Sequence, residues 1–130
     1  MRVGSGAVSW SSKQQPIVTL STTEAEYVAA VEAGKEIFWM RNILSEMGTP
    51  VDTPSVLYVD NRSALSVAKN PEHHGRMKHL DLRFYWLCDA VEAGKISPVH
   101  LRTDEMPADL LTKALPRAKV ELFRRMMGLE

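Results

Sequence analysis

Apolar and polar residues alternate over residues 7–12 (Ala-Val-Ser-Trp-Ser-Ser), a period of two that predicts a strand. Residues 16–20 (Pro-Ile-Val-Thr-Leu) are β-branched-rich and extended, with Pro16 marking a bend or an edge, and read as a second strand or a prolongation of the first. From Ser21 the period lengthens. Ala25, Ala29, Ala33, Ile37, Met40, Leu44 and Met47 recur at steps of three and four, which predicts a long helix stopped by Gly48 and Pro50. Residues 55–59 (Ser-Val-Leu-Tyr-Val) read as a short buried strand, and Asn61 to Lys69 as a short helix ended by Asn70-Pro71. A basic stretch from Glu72 to Lys78 leads into a second long helix, running to about Ala93 before Gly94. Ile96 to Leu101 is again strand-like, and helical segments follow at 107–113 and, behind Pro116, at 117–127. The order describes a single α/β domain over residues 1–130, with helices covering a small mixed sheet. About three strands are few for so much helix.

Composition narrows the setting. At 130 residues, 45% hydrophobic and 25% charged, the chain supports one domain with its own core. Sixteen Lys and Arg balance sixteen Asp and Glu, so any basic surface must be local. Cys88 is the only cysteine and has no internal disulfide partner, which suits a reducing, intracellular compartment such as cytoplasm or nucleus. No apolar run approaches the roughly 20 residues of a membrane span, and the first residues lack the apolar stretch of a secretory signal.

The chemistry question is where the acids fall. Asp60 follows Leu57-Tyr58-Val59 at the carboxyl end of a predicted strand, the edge at which open α/β sheets place ligands. It is equally well placed to cap the helix starting near Asn61. Glu24 and Glu26 are two apart and cannot share a helix face. Ser21-Thr22-Thr23-Glu24 fits a capping box, giving Glu24 a local job, whereas projecting the face of Ala29, Ala30 and Ala33 backward lands on Glu26. A carboxylate directed at the sheet calls for a cation, either a basic side chain or a metal. Asp109 falls in the first turn of a later helix, where the helix dipole alone favours an acid, and Asp104 reads as a cap or turn residue. Glu26, Asp60 and Asp109 could converge at one sheet edge, and oxygen-only ligands of that kind suit magnesium or manganese.

Five motifs carry a family resemblance. Ala7-Val8-Ser9-Trp10-Ser11-Ser12-Lys13-Gln14-Gln15-Pro16, then Leu20-Ser21-Thr22-Thr23-Glu24-Ala25-Glu26-Tyr27-Val28-Ala29, begin it. Val59-Asp60-Asn61-Arg62-Ser63-Ala64 with Lys69-Asn70-Pro71, His74-Gly75-Arg76-Met77-Lys78-His79-Leu80-Asp81, and Ala108-Asp109-Leu110-Leu111-Thr112-Lys113-Ala114-Leu115-Pro116 continue it. In this order and spacing they resemble the ribonuclease H domain of copia-type retrotransposon polyproteins. The resemblance implies a ribonuclease-H-like fold, cleavage of the RNA strand of RNA–DNA hybrids, and two divalent ions, normally magnesium, held by four carboxylates. By motif, three of these are Glu26, Asp60 and Asp109. The fourth is expected on a first strand upstream of the Ser-Trp-Ser motif, and Arg2 to Gly6 resemble only the tail of the family's second strand. The expectation is therefore an incomplete sheet, rearranged or completed by a homodimer or a complementing polypeptide. Weak or absent cleavage goes with it, the alternative being a non-catalytic, domesticated scaffold for nucleic acid or a protein partner.

Lys69, His73, His74, Arg76, Lys78, His79 and Arg83 concentrate positive charge before and within the second long helix. They are expected either to contact substrate phosphates or to form a solvated helix entry balanced by Glu72 and Asp81. The three histidines lack a nearby cysteine and zinc-motif spacing. Phe84, Leu87, Cys88 and Val91 form a core stripe, and Trp39 and Trp86 are expected to cover the sheet. Arg117, Lys119, Arg124 and Arg125 make the last helix basic, and Val120, Phe123 and Met127 give it an apolar docking face.

Overall fold

The computed structural model describes residues 1–15, 21–69 and 81–129, the side chains of 81–84 excepted. The predicted segment 16–20 and the basic stretch 70–80 lie outside them. In chain order the elements are β1 (Arg2–Val3), β2 (Gly6–Ala7), α1 (Thr22–Glu46), β3 (Ser55–Val59), α2 (Arg62–Lys69), α3 (Asp81–Glu92), β4 (Ile96–His100) and α4 (Arg117–Met126). Two 3-10 turns, Thr103–Glu105 and Pro107–Leu111, precede α4. The described residues are thus mixed α/β, with four helices and two small two-stranded sheets in place of one three-stranded sheet. They fall into a central unit, Ile17–His100, and a terminal unit, Met1–Pro16 with Leu101–Glu130.

In the central unit α1 begins where its cap predicts. Ser21 is extended, and its Oγ accepts the Glu24 N–H at 3.2 Å. The buried face differs from the alanine stripe. It runs through Glu24, Tyr27, Ala30, Val31, Gly34 and Ile37, while Ala29 and Ala33 are exposed and Met47 is 72% exposed. Burial scales with apolar area, so one face bearing Tyr27, Val31 and Ile37 outweighs one built from alanine methyls. Gly34 makes the close seat possible: a Cβ there would stand 3.0 Å from Trp86 Cζ3, 3.2 Å from Ile96 Cδ1 and 3.3 Å from Leu87 Cδ1. Beside it Phe38 meets Trp86 edge-on, ring centroids 5.2 Å apart, while Trp39 is exposed.

β3 and β4 pair in parallel, from Ser55 opposite Ile96 to Val59 opposite His100. Leu57, Val59, Ile96 and Pro98 are buried, and Val56, Tyr58 and Val99 on the alternate positions are exposed. Arg41 holds the approach to β3, its guanidinium donating to Val51 O (2.6 Å), Thr53 O (2.8 Å) and Ser55 Oγ (3.0 Å). Of the predicted α3 stripe, Leu87 and Cys88 are buried and Val91 is half-buried. The Cys88 thiol donates to Val67 O at 3.5 Å and lies 3.6 Å from Tyr27 Oη, so the phenol donates to sulfur and three helices are joined. Burial pushes both the Tyr27 phenol and the Cys88 thiol up, with their mutual hydrogen bond a smaller influence.

The terminal unit is an antiparallel hairpin set against the end of α4. Ala7 N–H donates to Met127 O at 2.8 Å and Arg2 Nη1 to Met126 O at 2.8 Å. Gly128, at φ +70°, closes the approach: a Cβ would lie 2.0 Å from Ser5 O. The strand predicted over 7–12 is realised only at Ala7, the end of β2, beyond which the N–H groups of Val8 and Ser9 both donate to Met1 O. The segment predicted at 107–113 is a 3-10 turn begun by Pro107. In α4 Phe123 is buried, and Val120 and Met127 are half-buried, as its apolar face predicts. No helix among the described residues is long and apolar enough to cross a membrane.

Gly34→Leu is expected to lower stability by about 1–3 kcal/mol through overpacking, read as a reduced urea midpoint by circular dichroism. The Tyr27–Cys88 pair has a signed pH dependence. Both groups stay neutral in the fold, while the unfolded chain ionises them from their ordinary values of 9.0 and 10.0. Their contribution is complete below pH 9.0 and is lost as pH rises beyond it. Urea midpoints should therefore fall in that range, and less steeply for a Tyr27→Phe, Cys88→Ala double variant.

Candidate functional site

Asp60 stands at the carboxyl end of β3, half-buried, with Asn61 between it and α2. The capping role open to it from sequence is taken by its neighbour. Asn61 Oδ1 accepts from Ser63 N–H at 2.9 Å and Ala64 N–H at 3.0 Å, satisfying the first turn of α2. Among the described residues no hydrogen bond or ion pair engages the Asp60 carboxylate. Its oxygens are the kind of hard donor that magnesium or manganese takes.

The two glutamates in the first turns of α1, Glu24 and Glu26, differ in burial. Glu24 is 4% exposed, whereas Glu26, the expected inward acid, is half-buried. Both are engaged in further interactions. Sequence reasoning missed the burial of Glu24, although the signal was present three residues on: Tyr27 outweighs the alanines in setting the inner face. The capping-box reading is met on the serine side, through Ser21 Oγ.

Asp109 belongs to the terminal unit. It lies in the first turn of Pro107–Leu111, its side chain 13% exposed, with Lys113 Nζ 2.9 Å from Oδ2. Asp104 has the local role expected of it: Arg102 donates to it from Nε (3.0 Å) and Nη2 (2.9 Å), and this pairing holds its carboxyl below the usual value. Within each unit, among the described residues, no three of His, Cys, Asp and Glu are grouped to hold a metal ion. Of the expected phosphate contacts, Lys69 is exposed at the end of α2. His74, Arg76, Lys78 and His79 lie outside the described residues, as does the side chain of Arg83.

The chain is similar to one stretch of the Pol polyproteins of plant transposons. Over 124 residues, 95% of the chain, it is 44% identical to the retrovirus-related Pol polyprotein from transposon TNT 1-94 of Nicotiana tabacum. The corresponding polyproteins from transposons RE2 and RE1 of Arabidopsis thaliana are 38% and 36% identical over 126 residues, 97% of the chain. The chain spans 9% of the length of each of these curated relatives. No family model matches the chain. No solved structure matches it either.

The assignment of the α2 cap is testable by stability alone. Asn61→Ala is expected to cost about 1 kcal/mol in a urea titration. Asp60→Asn should fall within about 0.5 kcal/mol of the parent. The reverse order would return the capping role to Asp60.

Proposed function

We propose that the chain is the ribonuclease-H-like segment of a retrotransposon Pol-type polyprotein and cleaves the RNA strand of RNA–DNA hybrids. The observation that carries this reading is the Asp60 carboxylate, placed at a strand's carboxyl end and without a hydrogen-bond or ion-pair partner among the described residues, while Asn61 caps α2. The similarity to transposon Pol polyproteins over nearly the whole chain supports it. Glu26, Asp60 and Asp109 are the proposed ligands, assigned by motif, and magnesium or manganese is the proposed cofactor. Such an ion, when bound, would neutralise phosphate charge and lower the pKa of water. Asp109 would exchange Lys113 for it. Lys69, with His74, Arg76, Lys78, His79 and Arg83, would neutralise substrate phosphates.

A second reading, a non-catalytic nucleic-acid-binding scaffold, is favoured by one observation: Asp109 is already compensated by Lys113. A hybrid-cleavage assay with magnesium or manganese separates the two. The catalytic reading expects cleavage that Asp60→Asn reduces by about a hundredfold or more, equivalent to losing roughly 3 kcal/mol of transition-state stabilisation. Cleavage indifferent to Asp60→Asn, or a chain that binds hybrid without cutting it, would remove the catalytic reading.

A further inference from the structure

The zero net charge conceals a division. The terminal unit holds eight Lys and Arg against five Asp and Glu, and the central unit eight against eleven. Within the terminal unit three bases are already matched: Arg102 by Asp104, Lys113 by Asp109 and Arg117 by Glu121. Arg2 is spent on carbonyl oxygens, those of Gly4 and Met126. Besides Lys13 and Lys119, Arg124 and Arg125 are left over. They are exposed, and among the described residues neither has an ion-pair partner.

Their position on α4 gives the surplus a direction. Phe123 is buried, with Val120 and Met127 half-buried beside it, so this side of the helix packs within the unit. Arg124 and Arg125 stand seven and eight residues after Arg117, so that Arg125 faces away from that packing while Arg117 and Arg124 lie along its border, all three exposed. A helix C-terminus favours cations, which accounts for one arginine in its last turn. It does not account for two adjacent ones beside Arg117 and Lys119. Arginine's planar fork of donors matches phosphate oxygens in pairs, and it stays charged at any working pH. Trp10, three residues beyond the Ala7 N–H bonded to Met127 O, is 67% exposed and offers a ring of the kind on which unpaired bases stack.

We propose that the exposed part of α4, centred on Arg124 and Arg125, is a binding surface for the phosphate backbone of nucleic acid. The inference rests on the reading of the chain as a nucleic-acid-processing segment, but not on its cleaving anything. It gives the terminal unit a function of its own: to hold the polyanion by charge, without reading sequence.

The test is fluorescence anisotropy of the full chain with a labelled RNA–DNA hybrid in EDTA, across a series of potassium chloride concentrations. Replacing both residues, Arg124→Gln with Arg125→Gln, is expected to weaken binding about tenfold or more near 0.1 M salt. It should also shallow the dependence of log K on log salt by about 1.8, two phosphate contacts at roughly 0.9 each. Arg124→Lys with Arg125→Lys should keep most of the slope, and circular dichroism melts of all variants should coincide because both side chains are exposed. Unchanged affinity and slope in the glutamine variant would overturn the proposal. So would a chain that dimerises through this face, seen in sedimentation as a dimer dissolved by the same substitutions while hybrid binding stays intact. Arginine-dependent binding without Asp60-dependent cleavage would support this surface and remove only the catalytic reading. Asp60-dependent cleavage with arginine-independent binding would do the opposite.

Discussion

Gly34 lets the backbone of α1 come within side-chain contact of α3 and β4 together. A Cβ at that point would already be in tight contact with Trp86, Leu87 and Ile96. The rest of the central core is arranged around this approach. Tyr27 lies on the inner face seven residues before it and Ile37 three residues after it, both buried. Tyr27 reaches Cys88, Cys88 reaches the Val67 carbonyl, and so the seat of α1 also fixes α2 and α3. Glycine inside a helix costs about 1 kcal/mol against alanine. Close packing of aromatic and aliphatic side chains returns more than that.

The same fixed frame decides what Asp60 is free to do. Only Asp60 and Asn61 separate β3 from α2, whose first N–H groups need an acceptor. Asn61 supplies it, and among the described residues nothing engages the carboxylate of the acid one residue earlier, at the sheet's carboxyl edge. Two neighbouring residues thus divide structural and chemical work. In the terminal unit the arrangement is different: acids there are largely matched to nearby bases, and unspent positive charge remains on the exposed part of α4.

Legibility followed the strength of local signals. β3 lies at 55–59 as its short apolar run predicts, and α1 starts after Ser21 because its cap is chemical as well as periodic. α3 ends within a residue of its predicted limit, ahead of Gly94. The inner face of α1 was harder, since alanines recur at helical spacing whichever side packs, and the decision belongs to the partner surface. The choice between Asp60 and Asn61 as cap was likewise not legible, both being good capping residues one position apart. The strand predicted at 7–12 is realised only at Ala7, since alternation supplies a pattern but a ladder needs a partner strand. Asp109 could be placed in a first turn from sequence, but its pairing with Lys113 required the turn's geometry.

Arg41 bears on the order in which the central unit assembles. Its three bonds reach residues 10 to 14 positions away, whereas the parallel register of β3 and β4 joins residues about 40 apart. The entropy lost on closing a loop rises with the length closed, and contacts near in sequence are met soonest. The clasp of α1 on the approach to β3 can therefore form while the remainder of the chain is still open. It presents β3 as an anchored template, and β4 then adds to a strand whose position relative to α1 is already set.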